Sequence, residues 1–185
     1  MTCNMKKLML PDFFQASEVP IVHKFYRNYF KDCYVCGDVD YIFGPNTAFF
    51  DHCEIHSIAR VSEGKAYITA ASTPAGQEFG LVFSHCRITG EEPDSVYLGR
   101  PWRDCAKTAF ICCELGDHIC PEGWQNWGKV RAEVLSDYIE YGNFGPGADC
   151  SGRSPLSRCL VNPEVETYFS KENVLVGEDG WIPAE

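Results

Sequence analysis

Two charged residues stand where charge is costly. Asp40 interrupts Val39-Asp40-Tyr41-Ile42-Phe43, an otherwise apolar, strand-forming run. Arg100 lies in Tyr97-Leu98-Gly99-Arg100-Pro101-Trp102, again among apolar and stiff residues. Burying a lone carboxylate is prohibitive, so Asp40 is expected to have a partner or to line a cleft. Arginine offers a planar fork of donors that holds a carboxylate in one orientation. A neighbouring cation also favours the anion that a nucleophile requires. The pair therefore suits either nucleophilic chemistry at a positioned carboxylate or a structural salt bridge, and the residue types alone leave both open.

The other reactive side chains point less clearly to chemistry. Cys33-Tyr34-Val35-Cys36 has C-x-x-C spacing, but on one strand the two sulfurs face opposite sides. No second pair carries zinc spacing. His52 and His56 are four apart in a strand-and-loop region, so the helical two-histidine geometry does not apply. No metal and no organic cofactor is expected. His23, His85 and His118 read as structural or solvated. The chain has 11 cysteines, an odd number that leaves at least one thiol unpaired. Most are expected to be small buried thiols, with Cys112 and Cys113 pointing to opposite faces of a strand.

These residues sit on short β-prone runs at 34–36, 39–43, 48–50, 54–55, 66–70, 81–83, 87–89, 96–98 and 108–112, separated by Gly, Pro, Asn and Asp. A polar-polar-Cys-x-aliphatic pattern recurs in Lys31-Asp32-Cys33-Tyr34-Val35, Asp51-His52-Cys53-Glu54-Ile55 and Ser84-His85-Cys86-Arg87-Ile88. Phe110-Ile111-Cys112-Cys113-Glu114-Leu115 is a looser copy, aligned on Cys112. Unequal spacing of a short repeated strand suits a solenoid whose coils carry loop insertions, with the cysteines stacked in an inward ladder. A β-sandwich with coincidental cysteines is the alternative. Near the end, Asn162 suits an N-cap with Pro163 at the first helical position. A helix to about Lys171 is expected, with Val165, Tyr168 and Phe169 against the coils.

Composition narrows the partners. The 185 residues are 45% hydrophobic and carry a net charge of −10, which suits one folded domain. There is no basic face for nucleic acid and no 18-residue apolar run for a membrane span. The acidic balance disfavours a polyanion and tolerates a neutral, esterified polymer better. The apolar run Leu8-Met9-Leu10 is too short for a signal-peptide core.

Several segments resemble the pectin methylesterase (pectinesterase) family. Val35-Cys36-Gly37-Asp38-Val39-Asp40-Tyr41-Ile42-Phe43-Gly44 is similar to its G-x-V-D-F-I-F-G motif, and Tyr97-Leu98-Gly99-Arg100-Pro101-Trp102 to its Y-L-G-R-P-W motif. Phe25-Tyr26-Arg27 resembles Q-F-Y-R with Lys24 in place of Gln. Gly123-Trp124-Gln125-Asn126-Trp127-Gly128 resembles G-W-x-x-W, and Glu140-Tyr141-Gly142-Asn143-Phe144-Gly145-Pro146-Gly147-Ala148 resembles E-Y-x-N-x-G-P-G-A. The motifs keep the family's order from about residue 24 to the end, leaving 1–23 unassigned and 24–185 as the domain.

The resemblance implies an all-β, right-handed parallel β-helix with a shallow aromatic cleft, a short C-terminal helix and a tail. It implies removal of methyl esters from pectin by a monomer without cofactors, outside the cell. Asp40 would be the nucleophile that forms an acyl-enzyme, and Arg100 would orient it. Phe43, Trp102 and Trp124 would contact sugar rings, since flat aromatic faces suit the apolar side of a pyranose.

The family's acid, in a Q-D-T-L motif with a neighbouring oxyanion-stabilising Gln, has no counterpart in these 185 residues. The chain is thus expected to cover roughly the last three-fifths of the family domain, as an N-terminally truncated β-helix. Asp12, in Leu10-Pro11-Asp12-Phe13-Phe14, is the candidate degenerate acid. Asp38 reads as a solvated or hydrogen-bonded carboxylate. General acid–base help is worth about 10²–10⁴-fold and an oxyanion donor about 10²–10³-fold, so impaired turnover is expected. The alternative is a non-catalytic β-helix that binds pectin or its oligosaccharides. A polygalacturonase, with clustered aspartates, fits the Arg100-Pro101-Trp102 context poorly.

Overall fold

The computed structural model describes residues 26–181 apart from 61 and 62, together with Pro183 and the backbone of two short strands before residue 10. Every strand pairing among them is parallel. Three sheets run along the molecule, and the chain visits them in turn. The first holds β1 (Asn4–Met5), β4 (Tyr34–Gly37), β7 (Glu54–Ser57), β10 (Arg87–Gly90) and β13 (Glu114–Leu115). The second holds β2 (Leu8–Met9), β5 (Val39–Gly44), β8 (Ala66–Ala71) and β11 (Val96–Pro101). The third holds β3 (Arg27–Lys31), β6 (Thr47–Asp51), β9 (Leu81–Ser84), β12 (Lys107–Ile111), β14 (Asp137–Tyr141) and β15 (Ser157–Leu160). This is a parallel β-helix, in which each coil buries its inward face only by stacking on its neighbours.

The stacking is visible residue by residue. Phe30, Phe50, Phe83 and Phe110 occupy one column of the third sheet, with ring centroids 4.7, 4.6 and 4.5 Å apart and nearly parallel planes. That spacing is the strand separation of a sheet, about 4.8 Å. Each fully buried ring contributes about 1.5–3 kcal/mol.

The turn from the third sheet to the first is equally regular. Asp32, His52, His85 and Cys112 all take φ between 51° and 53°, and Gly142 takes 63°. The next residue in each of the first four coils is Cys33, Cys53, Cys86 or Cys113. The thiols of Cys53, Cys86 and Cys113 are buried and donate to the carbonyls of Phe30, Phe50 and Phe83 at 3.4, 3.4 and 3.5 Å. The cysteine ladder exists, but Cys113 and not Cys112 belongs to it. The left-handed turn fixes the register, so the Cys112 side chain points away from the ladder and packs against the outer apolar cluster. In the next coil Asn143 takes the ladder position, and its Oδ1 accepts the Cys113 N–H at 2.9 Å. Among the described residues Cys150 and Cys159 form a disulfide, and the other cysteines are thiols.

The expected strands are all present and lengthen by a residue or more at most ends. β14 escaped sequence reading because Glu140 interrupts it. Glu140 is nonetheless buried, since Arg153 grips it from 2.9 and 3.0 Å. One helical turn, α1 (Ala132–Leu135), precedes β14. The expected C-terminal helix is divided into α2 (Glu164–Tyr168) and α3 (Lys171–Val174). Asn162 Oδ1 caps the Glu164 N–H at 3.0 Å, and Ser170 starts α3 by accepting from Asn173. Val165 and Phe169 pack on Phe49, Val82 and Ile139 of the third sheet.

Candidate active site

The site forms on the outer face of the second sheet. β5 breaks register against β8 between Val39 and Ile42, and within this irregularity Asp40 takes φ 49°. A bulge of this kind re-aims a side chain. Aspartate tolerates the left-handed region better than most residues, at a cost of about 1 kcal/mol. The carboxylate thereby reaches across β8 to Arg100 on β11. Arg100 Nε donates to Asp40 Oδ1 at 2.9 Å, and Nη2 donates to Oδ2 at 2.6 Å. The side chains are 20% and 16% exposed, so the pair is shielded but open to a ligand.

Arg100 is held on both faces. Its guanidinium carbon lies 3.8 Å from the ring centroid of Tyr67 and 3.7 Å from that of Trp127. Tyr67 in turn stacks on Tyr97, with centroids 5.2 Å apart. A cation between two aromatic faces gains from both and loses rotational freedom. Lys129 closes the loop around it, donating to the carbonyls of Pro101 at 2.7 Å and Trp102 at 2.9 Å. Burial above all pulls the Lys129 ammonium below the usual lysine range; Asp104 opposes this, Arg103 and Arg100 add to it, and Asp40 opposes it. Phe43 and Trp102 meet edge to face 5.6 Å apart beside the pair. Both are half-buried, and Phe43 and Arg100 share one column through Ala70.

Asp40, Arg100, Phe43 and Trp102 thus come together as the sequence suggested. Trp124 does not. It is 2% exposed, stacks on Tyr138 at 4.2 Å and donates its Nε1–H to Glu140 at 2.9 Å. Its backbone bridges Gly99 in the next coil of the second sheet, which turns the indole inward. Gly99 is required there, because a Cβ would sit 2.1 Å from Thr69 Oγ1 and 3.1 Å from the Trp124 ring.

The accessible tryptophan of this segment is Trp127, 37% exposed, which sequence reasoning passed over. A signal existed: Gln125, Asn126 and Gly128 around it are turn formers, and Gln125 and Asn126 accept the N–H groups of Trp127 and Gly128 at 2.9 and 2.8 Å. Tyr67 was also missed, although its place between inward Ala66 and Ile68 gives it an outward direction. Asp38 is exposed and accepts the Val39 N–H at 2.8 Å. Asp12 lies outside the described residues.

A shielded carboxylate with a fixed orientation, a guanidinium that cannot rotate and a rim of aromatic faces make a surface suited to an uncharged, ring-bearing ligand with an electrophilic carbon. The sequence model of the pectinesterase family matches residues 15–178. The chain belongs to the pectinesterase family. Pectinesterase 31 of Arabidopsis thaliana is 40% identical over 140 residues, which are 75% of this chain and 43% of that protein. The solved pectin methylesterase from carrot superposes with a TM-score of 0.76 at 28% identity, over 86% of this chain and 54% of that one. A pectin methylesterase in complex with a hexasaccharide superposes with a TM-score of 0.71 at 29% identity, over 86% of this chain and 53% of that one. The chain therefore spans about half the length of its pectinesterase relatives.

Proposed function

We propose that this chain hydrolyses the methyl esters of pectin, with Asp40 as the nucleophile. The observation that carries the reading is the two-bond grip of Arg100 on Asp40, at 2.9 and 2.6 Å, on an aromatic face of the β-helix. Family membership supports the substrate class, and the relative bound to a hexasaccharide supports carbohydrate as the ligand.

One oxygen of Asp40 attacks the ester carbonyl of a methylated galacturonate. The bond to the methoxy oxygen breaks, that oxygen takes a proton, and methanol leaves an acyl-enzyme anhydride. Water then adds to the anhydride and splits it into a galacturonate carboxylate and the ionised Asp40 with release of two protons, one of which balances the proton that left with methanol. Arg100 keeps its partner aimed at the carbonyl. Phe43, Trp102 and Trp127 offer faces to the sugar rings. These 185 residues hold no Q-D-T-L segment, so proton delivery to the methoxy oxygen and activation of water are not assigned to any of them.

Incubation with highly methylated pectin, with methanol and new reducing ends measured in parallel, tests the proposal. Methanol without reducing ends is expected. Reducing ends would indicate chain cleavage, and saccharide binding with neither product would leave a non-catalytic module; either outcome overturns the esterase reading.

A further inference from the structure

The left-handed turns that link the third sheet to the first carry an unusual file of side chains. Asp32, His52, His85 and Cys112 follow one another at φ 51–53° in successive coils. Aspartate and histidine are enriched in this conformation, whereas cysteine pays the ordinary penalty of an L-residue there. The ladder position belongs to Cys113, and Cys112 lies half-buried against the outer apolar cluster that α2 and α3 cover. His52 and His85 stack with ring centroids 5.2 Å apart, and Cys112 stands one coil further along. Glu166 of α2 reaches back over this edge. His85 Nε2 and Glu166 Oε1 are 3.7 Å apart, and the ligand atoms of His85, Cys112 and Glu166 all lie within 4.8 Å of one another.

We propose that His85, Cys112 and Glu166 form a zinc-binding site that pins α2 to the edge of the coil stack. The donor set is one imidazole nitrogen, one sulfur and one carboxylate oxygen, and zinc takes all three types. Tetrahedral zinc with bonds of about 2.0–2.3 Å separates its ligand atoms by roughly 3.3–3.6 Å. The His85–Glu166 distance already approaches that, and the remaining closure falls on solvent-accessible side chains. Two features beyond proximity point to a metal. His85 Nδ1 is 3.0 Å from Ser84 Oγ. Where Nδ1 donates that bond, Nε2, 3.7 Å from Glu166 Oε1, is left with a free lone pair, the outer-shell arrangement typical of a ligating histidine. A thiolate and a carboxylate also neutralise the 2+ charge, with neutral imidazole and a water completing four ligands. On binding, the Cys112 S–H bond gives way to a Zn–S bond, and the thiol proton goes to buffer.

The site is separate from the Asp40–Arg100 cleft, so it stands whether or not the chain hydrolyses esters. The test uses the whole chain freed of metal by chelation under mild reduction, with Zn²⁺ and Co²⁺ as probes. One Zn²⁺ per chain is expected, raising Tm by roughly 5–10 °C at a hundredfold excess over Kd. Bound Co²⁺ is expected to show a thiolate charge-transfer band that Cys112→Ser abolishes. Cys112→Ser, His85→Asn and Glu166→Gln should each weaken Zn²⁺ by at least about 10–100-fold, the loss typical of even an outer-shell partner. Without any variant, zinc should protect Cys112 from alkylation, read by peptide mapping. Failure to bind zinc, binding unchanged in folded Cys112→Ser, or equal alkylation of Cys112 with and without zinc would each overturn the assignment.

Discussion

Arg100→Lys separates a positioned fork from a mere positive charge. The variant keeps the cation but offers a point donor on a flexible stem. It satisfies at most one of the two bonds that reach Asp40 at 2.9 and 2.6 Å. A hydrogen bond to a charged group contributes about 1.5–3 kcal/mol. The planar contacts with Tyr67 and Trp127, at 3.8 and 3.7 Å, contribute about 0.5–1 kcal/mol each. The summed loss is about 2.5–5 kcal/mol. If it falls on the transition state, methanol release drops by about 70–5000-fold at 1.36 kcal/mol per decade. If part falls on the folded ground state, urea unfolding loses about 1–2 kcal/mol as well. The assay is initial methanol release from methylated pectin, paired with a denaturation curve. Activity within about threefold of the parent and an unmoved midpoint would refute the claim that the fork positions Asp40.

The two tryptophans of one segment should behave oppositely. Trp124→Ala is expected to cost about 3–5 kcal/mol of stability by urea denaturation, as for other large aromatic truncations in a core, whereas Trp127→Ala should leave the midpoint nearly in place and lower methanol release. Gly99→Ala should destabilise by about 2–3 kcal/mol, because the new methyl overlaps Thr69 Oγ1; a neutral result by calorimetry would show that the coils can spread. His118 is 1% exposed, and burial above all pulls its imidazole down to about 4 from 6.5. The unfolded chain therefore binds the extra proton between those values, so this contribution is complete above pH 6.5 and is lost as pH falls towards 4. It amounts to up to about 3 kcal/mol, and His118→Gln should flatten the slope of stability against pH over that window.

Much of this architecture could be read from residue order. A carboxylate inside an apolar strand required a partner or a cleft, and Arg100 stood among apolar residues too, but it was the resemblance of the two motifs to the family's that joined them as a pair. The short strands were legible because turn formers bound each of them. What escaped was register. Cys112 and Cys113 differ by one residue, and only the left-handed turn decides which enters the core. Trp124 and Trp127 share a motif, and only the bridge at Gly99 decides which is buried. β14 was hidden because Glu140 looks incompatible with a core until Arg153, in a later segment, neutralises it. The cluster of His85, Cys112 and Glu166 has no sequence signature. Its members come from two stacked turns and a returning helix, and their meeting depends on the coil stacking and on where α2 lies.

The most direct measurement is methanol release by the parent chain and by Asp40→Asn. Asparagine keeps the shape of the side chain and tolerates the φ of 49° at this position, so the variant removes the nucleophilic oxygen and leaves the coil intact. The account predicts methanol from the parent and a loss of at least about 10³-fold in the variant, as expected for a nucleophile, with saccharide binding little changed and a melting temperature lowered by a few degrees through the lost Arg100 bond. Equal release by the two proteins would contradict it.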